Sequence, residues 1–275
     1  MEPPCRKERE ASMELRILAL GDVCGASGLT FLQKKLWQMR KYYSADFVVI
    51  NGEHAAVRGI TPAQARTLRD AGADVITLGN HAFSRREIAS CLDDEPYIVR
   101  PANWASSLPG TGMCFYPAGK AEFCVINLIG RVGMNAGPES PFDTADALLA
   151  KARARTKFII VDFHAEATSE KIALAYHIDG RASILFGTHT HVQTADERVF
   201  PRGLGYLTDL GMTGAVDSVI GVRAEQSVAF FRGNFLSRFE DAGGAAAACG
   251  ALFKLDESGR CTGVERIRLE NGAAL

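Results

Sequence analysis

Residues 184–193 read ILFGTHTHVQ. An apolar run stops at Gly187, and His189 and His191 follow with one threonine between them. A buried strand gains nothing from two imidazoles at its end, whereas a metal ion does. Side chains i and i+2 leaving a strand lie on the same side. The spacing therefore predicts that both imidazoles face one cavity.

Other apolar runs end in the same kind of residue. LRILALGDV (15–23) carries Asp22, and DFVVINGE (46–53) carries Asn51 and Glu53 with His54 next. DVITLGNH (74–81) ends in Asn80 and His81, and KFIIVDFHAE (157–166) carries His164. Five of the six histidines sit at such ends, and only His177 does not.

Between the runs lie helical patterns. LTFLQKKLWQMRKYY (29–43) has helical apolar spacing. TPAQARTLRDAG (61–72) has Thr61 to cap, Pro62 at the first helical position and Gly72 to stop. Two more helices are expected, at 142–155 and from about Thr168. Further strands are expected at 112–119, 121–130, 182–189 and 205–212, and near 250–256 and 262–269. DAGGAAAACG (241–250) reads as a loop or strand entry. Alternating strands and helices imply an α/β fold with a mainly parallel sheet and helices on its faces. Ligand sites in such folds form at the carboxyl ends of the strands, so residues 22 to 191 are expected to meet in space.

Taken singly, each residue has an ordinary explanation. Asp22 or Asn80 alone makes a turn, and His164 alone is a hydrogen-bonded core histidine. Five strand ends together are not explained that way. The mixture of carboxylate, amide oxygen and imidazole rules out a thiolate structural zinc site and suits Mn, Fe or Zn with open positions. There are too many ligands for one ion that keeps positions open. Two ions bridged by a carboxylate use them, and ions about 3.5–4 Å apart clamp the attacking and leaving oxygens of a phosphoester displacement.

The bulk numbers agree with a globular enzyme. The 275 residues carry a net charge of -1, with 47% hydrophobic and 23% charged residues. That length buries a sizeable core, and balanced charge gives no sign of a general nucleic-acid or membrane surface. No apolar run is long enough to cross a bilayer, and the amino terminus lacks the apolar core of a signal peptide. Residues 1–13 read as a disordered extension, or as sequence upstream of a start at Met13, and residues 14–275 as one domain. The 7 cysteines are odd in number and irregular in spacing, which fits a reducing, cytoplasmic setting.

The order Asp, Asn-Gly-Glu, GNH, His and GTHTH resembles the calcineurin-like metallophosphoesterases. VITLGNH, RPANW, VINLIGRV, VDFHAEATSEK, GTHTHVQTADER and TDLGMTGAVDSVIG are similar to the signatures of their bacterial YmdB-like branch. The resemblance implies a four-layer α/β/β/α sandwich. It implies hydrolysis of nucleoside 2′,3′-cyclic monophosphates, such as 2′,3′-cAMP, by in-line attack of a hydroxide bridging two divalent ions, Fe or Mn first and Zn third. Asp22, Glu53 and His191 would hold one ion. Glu53, Asn80, His164 and His189 would hold the other, with Glu53 bridging and His81 catalytic beside the substrate. It further implies a small-molecule nucleotide substrate, a homo-oligomer, no membrane and no stable nucleic-acid complex. A phosphoesterase acting on monoesters or RNA, or a regulatory nucleotide-binding scaffold, stays open beside it.

Two positions depart from the pattern. In GDVCG, Cys24 stands where the wider superfamily has the histidine of Asp-x-His. In NGEH, His54 replaces the asparagine of the branch's NGEN. His54 is expected at the first ion and Cys24 as a small buried side chain. GRVGMNAGPESP (130–141) reads as a mobile loop with Arg131 near phosphate. Glu166 is expected to orient a ligand or line the rim, and Asp209 to support a loop.

Overall fold

The computed structural model describes residues 14–119, 121–134 and 138–271. The expected extension at 1–13 lies outside the described residues, as does the middle of the loop expected at 130–141.

The first half runs β1 (Leu15–Leu20), β2 (Asp22–Val23), α1 (Gly25–Tyr42), β3 (Phe47–Asn51), α2 (Pro62–Asp70), β4 (Val75–Thr77), α3 (Arg86–Ala89) and β5 (Ile98–Val99). Next come β6 (Met113–Ala118), β7 (Ala121–Ile129), α4 (Pro141–Arg153), β8 (Phe158–His164), α5 (Thr168–Ile178) and β9 (Ile184–Thr188). The chain continues with β10 (Arg198–Val199), β11 (Gly205–Leu207), β12 (Met212–Ala215), α6 (Ala224–Phe231), β13 (Ala246–Leu255) and β14 (Cys261–Glu270).

The strands form two sheets. One has the order β2-β12-β13-β1-β3-β4-β5 with β14 beside β13, and the other β10-β11-β9-β8-β7-β6. Side-chain alternation shows how they stack. Ile17 and Ala19 of β1 and Phe47 and Val49 of β3 join Phe158 and Ile160 of β8 and Ile184 and Phe186 of β9 in one apolar cluster between the sheets. The intervening Leu18, Leu20, Val48 and Ile50 pack against Phe31, Leu32 and Leu36 of α1 and Leu68 of α2. Ile159, Val161 and Leu185 pack against Leu149 of α4 and Leu174 and Ile178 of α5. Both faces of both sheets are covered, which yields the expected α/β/β/α layering and explains why these strands read as continuous apolar runs.

Local signals set several boundaries. Thr61 accepts from the Gln64 N–H while Gln64 returns a bond to the Thr61 N–H, a capping box that starts α2. LRILALGDV is broken at Gly21, and only glycine fits at the break, since a Cβ there would strike the Gly211 carbonyl oxygen. GYLTDLGM, expected as one strand, is two: β11 pairs with β9 in one sheet and β12 with β2 and β13 in the other. The turn between them carries Asp209 across the edge where the sheets meet. The alanine-rich stretch enters β13, a central strand antiparallel to β1. Small residues suit that place, since a Cβ at Gly250 would meet the Ala19 carbonyl oxygen.

Candidate metal centre

The residues facing the other sheet along β8 are Phe158, Ile160, Asp162 and His164, and along β9 Ile184, Phe186 and Thr188. Each series turns from apolar to polar at its carboxyl end. Phe47, Val49 and Asn51 do the same on β3, and Val75 and Thr77 on β4. The two sheets thus close an apolar core below and a polar chamber above. Asp22, Asn51, Glu53, Asp162, His164 and Thr188 are all fully buried there.

Glu53 is the centre of the chamber. Its Oε1 lies 2.9 Å from His164 Nε2 and 3.1 Å from His54 Nε2. His164 Nε2 also lies 3.0 Å from Asn80 Oδ1 and 3.1 Å from His189 Nδ1. Asp22 Oδ1 faces His191 Nε2 at 3.8 Å and His164 Nδ1 at 3.9 Å. Three groups of side chains offer ligand atoms within 4.8 Å of one another: Asp22, His54 and His191; Glu53, His164 and His189; and Glu53, His54 and His81. Gly79 gives them room, because a Cβ there would collide with Glu53 Oε2 and His164 Nε2.

The outer nitrogens decide what the inner ones offer. His164 Nδ1 donates to Thr188 Oγ1 at 2.9 Å, and the Thr188 hydroxyl donates to Asp162 at 2.8 Å. His189 Nε2 lies 3.2 Å from the Glu166 carboxylate. His191 Nδ1 donates to the Ile220 carbonyl at 2.9 Å, and His54 Nδ1 to the Val57 carbonyl at 2.7 Å. Each ring engages a proton outward and turns its other nitrogen inward, the arrangement that metal-binding imidazoles need. Val57 (φ 66) and Ile220 (φ 48) hold left-handed backbone to present these carbonyls, a conformation that β-branched residues rarely adopt.

The charges agree. Asp22 Oδ1 and Glu53 Oε1 are buried without a hydrogen-bond partner among the described residues. Such orphan acceptors cost roughly 1–3 kcal/mol each, more when charged, unless a cation lies among them. Burial acts to lower His164, yet Glu53, with Asp22 and Asp162, outweighs it and pushes the imidazole up to about 9. Burial, aided by the charge on His164, pushes His189 down to about 3. The donor set fits divalent ions.

His189 and His191 converge by a different route from strand alternation. β9 ends at Thr188, and the two histidines have φ of 101° and 64°. A tight left-handed turn aims one at His164 and the other at Asp22. The turn is pinned underneath. Asp22 Oδ2 accepts the His189 N–H at 3.1 Å, and Asp209 Oδ2 accepts the Thr190 N–H at 3.2 Å. Lys171, fully buried, bonds Asp209 Oδ2 at 2.8 Å and the Thr188 carbonyl at 2.9 Å.

The remaining expected residues fall as follows. The His81 N–H donates to Glu53 Oε2 at 3.1 Å, and its ring is half-buried 5.1 Å from that of His54. Burial pushes His81 down to about 4 against the pull of Glu53. Cys24 is buried, with Sγ 3.5 Å from His191 Nδ1, and burial followed by the charge of Asp22 keeps its thiol protonated. Arg131 sits on the exposed loop after β7, its N–H held by Glu170 at 3.0 Å, and its side chain does not line the cleft shared by His54, His81 and His191. His177 pairs with Asp146 at 2.9 Å, apart from the chamber.

Sequence reasoning missed Asp162, Thr188 and Lys171. Asp162 had a signal: a carboxylate inside an apolar strand, two residues before His164, is seldom buried without a task. Lys171 had one too, since it shares a helical stripe with Leu174, Ala175 and Ile178.

The family model of YmdB-like proteins matches residues 18–267. The chain belongs to the YmdB-like family. It is 42% identical over 259 residues to a Bacillus subtilis protein named 2′,3′-cyclic-nucleotide 2′-phosphodiesterase, covering 94% of this chain and 98% of that one. The crystal structure of a novel phosphatase from Mycoplasma pneumoniae superposes with a TM-score of 0.87 at 34% identity, covering 94% of each chain. That of a hypothetical protein from Thermus thermophilus gives 0.85 at 38% identity, over 93% of this chain and 99% of that one. The layered fold is of the metallophosphoesterase type, and the family places the chain among metal-dependent hydrolases of the phosphodiesterase kind. No helix among the described residues is long and apolar enough to cross a membrane.

Proposed function

We propose that this protein hydrolyses nucleoside 2′,3′-cyclic monophosphates at a two-metal centre. Asp22, Glu53, His54 and His191 would hold one ion. Glu53, Asn80, His164 and His189 would hold the other, with Glu53 shared. When bound, the ions would activate water and neutralise charge on the phosphoryl oxygens. Iron or manganese suits the mixture of oxygen and nitrogen donors.

The observation that carries this reading is the convergence of inward imidazole nitrogens on Glu53, with each histidine's outer nitrogen already engaged. The chain's own groups do the rest. Asn80 links the centre to His81: its Oδ1 faces His164 Nε2, and its Nδ2 donates to His81 Nε2 at 3.2 Å. His81 is uncharged at neutral pH, so it adds no repulsion to the cations. A bound phosphate anion raises its proton affinity, and a proton on His81 then serves the leaving ribose oxygen. Likeness to the Bacillus relative favours cleavage of the bond from phosphorus to O2′. Water supplies the new P–O bond, O2′ gains a proton, and a 3′-monophosphate is left. Reaction within the reducing interior of the cell agrees with the unpaired cysteines.

The test is to load the protein with manganese or iron and chromatograph its products from 2′,3′-cAMP, with a simple phosphomonoester and an RNA in parallel. Adenosine 3′-monophosphate as the main product is expected. Faster turnover of the monoester or the RNA, or the 2′-monophosphate as product, would contradict the reading.

A further inference from the structure

The cleft that holds the inward histidines continues past them. His54, His81 and His191 share about 310 Å³ with Ile220, Phe230, Phe231 and Phe239, within the size range of small-molecule sites. Phe230 packs edge-on against Phe231 and Phe239, with ring centroids 5.5 Å apart in both pairs. These rings are not core. Phe231 is 82% exposed and Phe230 49%. The apolar wall is tied to the centre directly, because the Ile220 carbonyl holds His191 Nδ1.

A polar, cation-binding end and an aromatic end in one cleft call for a ligand with an anion and a flat apolar ring. A nucleotide has both. We propose that Phe230 and Phe231 form the platform on which the substrate's base stacks while its phosphate lies at the histidine end. This rests on the nucleotide reading of the centre and adds the residues that set base preference. Stacking reads the area of a ring face rather than hydrogen-bonding edges, so all bases are accepted and purines lead. Binding energy gained at the base orients the phosphate at the reacting end.

Calorimetry on the metal-loaded protein tests this with two probes, adenosine 3′-monophosphate and inorganic phosphate. The nucleotide is expected to bind at least roughly tenfold tighter. Phe230→Ala and Phe231→Ala are each expected to remove most of that preference, and Phe231→Tyr, which keeps a ring, to retain it. Phe231 is exposed enough that its truncation does not threaten the fold. Equal binding of the two probes overturns the proposal, as does a preference that survives both alanine variants. So does a loss that merely follows conversion of an oligomer to monomers, which would assign the rings to self-association. Turnover is read separately. A preference without hydrolysis leaves the platform standing and removes the proposed reaction, and hydrolysis without a preference does the reverse.

Discussion

Thr188 Oγ1 accepts a hydrogen bond from His164 Nδ1 at 2.9 Å. Because the same hydroxyl donates to Asp162, it cannot also point at the ring, so Nδ1 of His164 keeps its proton and Nε2, facing Glu53, is the nitrogen that gives up its proton to an incoming ion. Thr188→Val preserves shape and removes this control. Metal affinity is expected to fall roughly 10–100-fold, alongside a loss of stability of roughly 1–3 kcal/mol because Asp162 Oδ1 and His164 Nδ1 stay buried without their partner. Competition with a graded chelator checks it, and unchanged affinity would show that the relay does not matter.

His81 lines the cleft without being required to hold an ion. His81→Ala is expected to keep its full metal content and to lose roughly 10²–10⁴ in kcat. Metal analysis and steady-state kinetics on one preparation separate the two effects. Near-normal turnover would remove the proton-donating role.

Beneath the turn, Lys171 and Asp209 form a buried ion pair at 2.8 Å. Lys171→Met leaves a carboxylate inside the fold with its cation gone, and loss of one partner of such a pair costs roughly 3–5 kcal/mol. For a chain of this size that is on the order of 10 °C in Tm. Thermal unfolding reads it directly, and a shift of a degree or two would mean that the turn stands without the pair.

Metal loading should release protons, with a sign fixed by the histidines. His164 is pushed up to about 9 and therefore carries a second proton, on Nε2, at pH 7.5 in the metal-free protein. His81, at about 4, and His189, at about 3, lack that second proton and are neutral. A ligand must be neutral, so loading at pH 7.5 is expected to release about one proton from His164, with a further fraction from His54. For His54, burial acts to lower the ring but Glu53 raises it on balance. Release fades above pH 9, and affinity weakens as pH falls. Calorimetry in two buffers of different ionisation enthalpy counts the protons. None released at pH 7.5 would contradict the assignment.

Much of this was legible in the sequence because it was written in local patterns. The apolar runs and the polar residues ending them mark strands and a shared edge, and Thr61-Pro62 marks a helix start. Partner choice between strands is not local. Nothing in β1 or β8 says that they lie in different sheets, and GYLTDLGM conceals a crossing from one sheet to the other. The site was legible in its residue types but not in its support. His189 and His191 converge through positive φ angles that no residue type announces, held by Lys171 and Asp209 from elements far apart in the chain. The helix α6 went unread because AEQSVAFF exposes its apolar residues instead of burying a stripe.

The central claim is that Glu53 is shared by two cations. Crystals of the manganese- or iron-loaded protein, measured with anomalous scattering on either side of the metal edge, test it most directly. Two peaks roughly 3.5–4 Å apart, with the Glu53 carboxylate between them, are the expected result. A single peak, or peaks away from Glu53, would contradict it.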